Sequence, residues 1–147
     1  MKPKVLFLCT GNSCRSQMAE GWARQLLGDR LDPYSAGIEA HGMNPNAIRV
    51  MQEAGADITG QSSKLASTLA DVPMDLVVTV GGHADENCPA ILGKGRVVHV
   101  GFDDPPKLAQ TATTEDDALG HYRRVRDEIR RFVSEQLATM CLRLEPL

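Results

Sequence analysis

The chain has 147 residues, of which 42% are apolar and 24% charged, with a formal net charge of −3. That length suits one domain with a core of its own, because a globule of this size buries roughly 70% of its unfolded surface without needing a disulfide or metal scaffold. Mild acidity argues against general nucleic-acid binding, and no apolar run approaches the roughly 18 residues of a membrane span.

The order of elements is legible from apolar spacing and end signals. Lys4–Cys9 is a continuous apolar run, the mark of a strand buried on both faces. Met18, Ala19, Trp22, Ala23 and Leu26 then recur at helical spacing, and Gly28 supplies a stop. "YSAGI", around Ser35, reads as a short second strand. In "NPNAIRVMQEAG", Asn44 is a cap, Pro45 the first helical residue and Gly55 the end. "SSKLAS" opens another short helix. Asp75–Val80 and Arg96–Val100 are two further buried strands. From Glu115 to Met140 a long amphipathic helix carries Ala118, Tyr122, Val125, Ile129, Phe132, Val133, Leu137 and Met140 on one face. This alternation predicts an α/β fold, a parallel sheet with helices on both faces. Ligands in such sheets bind beyond the carboxyl ends of the strands, where Cys9, Gly81 and Gly101 fall.

One loop on that rim carries chemistry. Cys9-Thr10-Gly11-Asn12-Ser13-Cys14-Arg15-Ser16 has the form C-x5-R-S between a strand and a helix. Successive backbone N–H groups in such a turn form an anion nest, and the helix N-terminus adds its positive dipole end. Gly11 and Asn12 tolerate the left-handed backbone that a tight loop demands. Arg15 grips a tetrahedral oxyanion with two donors, and Ser16 offers a hydroxyl to the cysteine. Such surroundings favour the thiolate of Cys9. Transfer of an oxyanion centre to sulfur also needs an acid for the departing oxygen. "GFDDPP" offers Asp103 and Asp104 after the last strand, with the proline restricting Asp104.

The remaining candidates are weaker. Cys9, Cys14, Cys88 and Cys141 form neither a disulfide framework nor a paired zinc pattern, and Cys141 reads as a bystander. His41, His83, His99 and His121 show no ligand spacing, so no metal is expected. "RRVRDEIRR" is a solvated helix face. The apolar stretch after the basic start "MKPK" is too short for a signal peptide, so a cytoplasmic protein is expected.

"CTGNSCRSQMAEGWA", "YSAGIEAHGMNPNAI", "DLVVTV", "GFDDP" and "RVRDEI" together resemble the thioredoxin-coupled arsenate reductases, which share the fold of low-molecular-weight protein tyrosine phosphatases. The resemblance runs from Lys4 to about Phe132. It implies a three-layer domain over residues 1–147, with a four-stranded parallel sheet. It implies Cys9 as the nucleophile on arsenate, Arg15 and the loop Thr10–Cys14 as the oxyanion cradle, Ser16 as support for the thiolate, and Asp104 as general acid. It further implies arsenate as substrate, with phosphate or sulfate as analogues. The implied partner is thioredoxin or another thiol donor, with no cofactor, nucleic acid or membrane. A monomer serving arsenic detoxification is expected.

The chain departs from the family's three-cysteine relay. The third relay cysteine matches Cys88, but the second position, directly after the "DLVVT" strand, holds Gly81. Three thiols are open for resolving the Cys9 adduct: Cys88 first, then Cys14, then an external small thiol or glutaredoxin. The family's potassium ligands match Asn12, Glu20 and Ser35, while Lys64 stands in place of an acidic residue. Its ammonium either replaces the cation beside Glu20 or is a solvated surface charge. Two other readings compete: a phosphatase acting on phosphotyrosine, disfavoured because no tyrosine flanks Asp104, and a non-catalytic oxyanion sensor.

Overall fold

The computed structural model describes residues 2–81 and 96–143. Its centre is β1 (Lys4–Cys9), which pairs in parallel with β2 (Asp32–Gly37) on one side and β3 (Leu76–Thr79) on the other. β4 (Arg96–His99) pairs in parallel with β3, giving the order β2-β1-β3-β4. Because side chains alternate along a strand, Val5, Phe7 and Cys9 enter one core and Leu6 and Leu8 another. That is why the first run has no polar position from Val5 onward.

The larger core lies between the sheet and helices α1 (Arg15–Leu27), α2 (Pro45–Glu53) and α4 (Glu115–Arg131). Trp22, fully buried on α1, donates its Nε1–H to the Arg126 carbonyl at 3.2 Å and lies 5.2 Å below the Arg130 guanidinium. The smaller core is closed by a 3₁₀ turn, Ala66–Leu69, and its flanks, with Ala36, Ala66, Met74 and Val77 around the β1 leucines.

Asn44 caps α2 as its sequence suggests, its side-chain oxygen accepting from the Asn46 and Ala47 amides. Gly55 follows at φ +87°, a backbone that disfavours any side chain.

Several expectations are corrected. β4 is an edge strand and largely exposed, with Val97 43% accessible, because only β3 flanks it among the described residues. β2 starts at Asp32, and Pro33 is tolerated because this strand is also an edge. Helical turns after "SSKLAS" begin only at Ala66. Ser62 and Lys64 run outside any helix because the Lys64 amide bonds to the Asn12 side chain rather than to a helical carbonyl. A short α3 (Pro105–Ala109), with two prolines in its first turn, was not anticipated. The last helix is not uniform: α4 passes into a π turn over Phe132–Leu137 before α5 (Ala138–Leu142). No described helix is long and apolar enough to cross a membrane.

Candidate functional site

The loop between β1 and α1 is held by one residue in an unusual conformation. Asn12 has φ +48°, the left-handed region that asparagine tolerates better than most side chains. It is fully buried and bonded on all sides. Its Nδ2 donates to Ser16 Oγ at 2.8 Å, its Oδ1 accepts from the Lys64 amide at 2.8 Å, and its carbonyl accepts from Gln17 Nε2 at 3.0 Å. Gln17 in turn reaches the Ser62 carbonyl and accepts from Gln61. The loop is therefore fastened to the Gln61–Lys64 segment by hydrogen bonds of the protein's own.

The same network sets the direction of a hydrogen bond to sulfur. Ser16 Oγ lies 2.8 Å from Cys9 Sγ. Since Oγ already accepts from the Asn12 amide, its own hydrogen is free to point at the sulfur. Gly11 sits close under His41: a Cβ there would fall 2.3 Å from its Nδ1, so any side chain at 11 requires the imidazole to shift.

Arg15 begins α1 and turns its guanidinium toward the ends of β3 and β4. Nη1 donates to the Phe102 carbonyl at 3.0 Å and reaches the Val80 carbonyl at 3.5 Å, while Nη2 lies 3.7 Å from Asp104 Oδ1. The two neighbouring aspartates separate in role. Asp103 turns outward to Arg124 at 3.0 Å, whereas Asp104 lines the cavity. That cavity, of about 260 Å³, is bounded by Cys9, Thr10, Gly11, Ser13, Cys14, Arg15, His41, Asp104 and Pro106. Among the described residues it gathers the nucleophile, loop, clamp and acid positions named from sequence. Asn12 and Ser16 stand behind its wall rather than in it.

Cys14 is 4% exposed, and burial pushes its thiol far above the ordinary range despite the opposing charge of Arg15. Cys9 and Cys14 are free thiols. Cys88 and His83 lie outside the described residues. His41 was grouped with scattered histidines, yet it stands on the cavity rim with Nε2 2.6 Å from Glu39 Oε2. The available signal was its place just past the end of β2, on the ligand-binding rim.

Beside the loop lies a second arrangement. Ser35 Oγ donates to Glu20 Oε1 at 2.6 Å, and Arg24 Nη2 meets Glu20 Oε2 at 2.6 Å. Lys64 Nζ donates to the Ser35 and Ser62 carbonyls at 2.9 and 2.8 Å. Lys64 is thus not a freely solvated charge. Its ammonium is fixed by carbonyl oxygens, with Glu20 acting through space, and burial pulls its pKa down while Glu20 partly restores it. Glu20, Arg24, Ser62 and Lys64 border a cavity of about 610 Å³. No cluster of three metal-ligating side chains occurs among the described residues.

Comparison with known proteins gives a consistent relationship. The family described as low molecular weight phosphotyrosine protein phosphatase matches residues 4–143. An arsenate reductase of Halalkalibacterium halodurans is 53% identical over 128 residues, covering 87% of this chain and 90% of that protein. An arsenate reductase of Bacillus subtilis is 52% identical over 130 residues, covering 88% and 91%. A solved arsenate reductase in a phosphate-binding state superposes with a TM-score of 0.71 at 30% identity, covering 99% of this chain and 100% of that one. With the C-x5-R-S loop closing the rim of a four-stranded parallel sheet, this chain belongs to the low molecular weight phosphotyrosine protein phosphatase family, on its arsenate reductase branch.

Proposed function

We propose that the protein reduces arsenate to arsenite, with Cys9 as nucleophile. The observation that carries this reading is the convergence of Cys9, Arg15 and Asp104 on one 260 Å³ cavity floored by the loop. Cys9 attacks arsenic as the thiolate, receiving the Ser16 hydroxyl hydrogen bond. Arg15 and the loop amides hold the oxyanion, and Asp104 protonates the departing oxygen, which leaves as water. A second thiolate then attacks the Cys9 sulfur. The S–As bond breaks, its electron pair stays on arsenic, and arsenite departs as a disulfide forms. Two thiols thus supply the two electrons that take arsenic from the +5 to the +3 state.

Cys88 is the first choice for the second thiol. Cys14 is disfavoured because burial holds it as the neutral thiol, and the thiol is a poor nucleophile. An external thiol is the remaining route. Thioredoxin, or another thiol donor, recycles the disulfide. The protein acts as a cytoplasmic monomer, with residues 1–147 as one domain and no cofactor. Lys64 takes the place of the potassium ion that the family resemblance implies, because its ammonium satisfies the carbonyls of Ser35 and Ser62.

The competing phosphatase reading lacks an aromatic grip among the described residues: those lining the cavity include no tyrosine, phenylalanine or tryptophan. A coupled assay with thioredoxin, thioredoxin reductase and NADPH, run beside hydrolysis of a nitrophenyl phosphate, tests the proposal. Arsenate-dependent NADPH oxidation that Cys9→Ser abolishes supports it. Phosphate-ester hydrolysis without arsenate reduction overturns it. In the same assay Cys88→Ser is expected to cut turnover at least tenfold, and an undiminished rate removes Cys88 from the scheme.

A further inference from the structure

We infer that Gly81 is a positioning residue for the oxyanion clamp: its missing side chain is the seat on which Arg15 rests. The inference rests on the reading of the 260 Å³ cavity as an oxyanion site. Gly81 follows the buried end of β3. A Cβ at this position would lie 2.8 Å from Arg15 Nη1 and 3.0 Å from both Cζ and Nη2. The guanidinium therefore lies directly over the backbone at Gly81, closer than a side chain permits.

That seat decides how the arginine is presented. Nη1 is committed to the Phe102 and Val80 carbonyls. Its commitment leaves Nε and Nη2, the parallel two-donor edge, for a tetrahedral anion. Arg15 is only 13% exposed in its side chain and anchored by protein carbonyls, so the clamp has little freedom left to lose on binding an anion. Any side chain at 81 pushes the guanidinium off its carbonyl anchors or toward Asp104. The seat also bears on the relay. A thiol at position 81 and Arg15 in this conformation exclude one another, so the change that removes the relay cysteine provides the resting place for the clamp. Restoring that cysteine is then expected to weaken oxyanion binding.

The φ of Gly81 is not positive, so alanine is compatible with its backbone and probes only the space beneath Arg15. Phosphate binding by the whole chain, measured by titration calorimetry, reads the effect without involving turnover. Gly81→Ala is expected to raise the phosphate dissociation constant about tenfold, the scale of one charge-assisted hydrogen bond, and Gly81→Cys at least as much. In an Arg15→Lys background, which empties the seat, Gly81→Ala is expected to change the constant by less than about twofold. In arsenate turnover Gly81→Ala is expected to raise KM more than it lowers kcat. Unchanged phosphate affinity in Gly81→Ala and Gly81→Cys, or an equal loss in both backgrounds, overturns the inference. Failure of the unaltered protein to reduce arsenate would instead strike the reductase reading and leave this one standing.

Discussion

At the scale of single residues, the site depends on polar groups that find their partners within the protein itself. Asn12 is the clearest case, since its side chain both orients Ser16 and receives the Lys64 amide. Asn12→Ala leaves the part-buried Lys64 amide without its acceptor and removes the donor to Ser16. A loss of about 1–3 kcal/mol in unfolding free energy is expected, together with slower reaction at Cys9. Denaturant titration and arsenate turnover check the two effects separately. Cys14 carries a second prediction. Its pKa is raised, so near neutral pH it remains the neutral thiol, and its alkylation stays slow until strongly alkaline conditions. Peptide mass mapping after iodoacetamide should find Cys14 unmodified in the native protein and modified after unfolding. Lys64 carries a third. Turnover is expected to be equal in sodium and potassium buffers, whereas Lys64→Asp vacates the carbonyls of Ser35 and Ser62 and should make the melting temperature rise with potassium.

At the scale of elements, α1 docks on α4 through Trp22. Trp22 is 1% exposed and spends its indole N–H on the Arg126 carbonyl. Trp22→Ala is expected to cost about 3–5 kcal/mol in thermal or denaturant unfolding, and a cost below about 1 kcal/mol would mean the contact is not part of the core. What was legible in the sequence follows from the range of the physics. The Asn44 cap and Pro45 entry of α2 are decided within four residues, and both were readable. The alternation that buries β1 on two faces is likewise local. The exposure of β4 was not readable, because "RVVHV" has the composition of a buried strand and only its place at the end of the sheet leaves it open. The π turn at Phe132–Leu137 has no pattern of its own, since Phe132, Val133 and Leu137 fit a plain helical face equally well. Its position is a matter of packing: Phe132 meets Phe102 edge to face with centroids 6.0 Å apart, beside the carbonyl that anchors Arg15.

At the scale of the whole molecule, the parallel sheet does the gathering. The order β2-β1-β3-β4 sends the chain out of β1, β2, β3 and β4 on one rim, so residues as distant as Cys9, His41 and Asp104 share a cavity. The C-x5-R-S loop and Asp104 were visible as pieces because each has a local signature. Their meeting rested on the rim rule and the family resemblance, which also implied Asp104 rather than Asp103, and the structure adds that Arg124 takes Asp103. The seat of Arg15 on Gly81 was not legible at all. It is a contact across 66 positions between an arginine and the absence of a side chain, and only geometry reports that. The central claim is that electrons reach arsenic through the sulfur of Cys9. A single turnover of the reduced protein with arsenate and a monothiol, followed by thiol counting and peptide mapping, tests it most directly. Two thiols lost per arsenite formed, with Cys9 in the resulting disulfide, is the predicted result. Arsenite formed while the Cys9 thiol stays free throughout would contradict it.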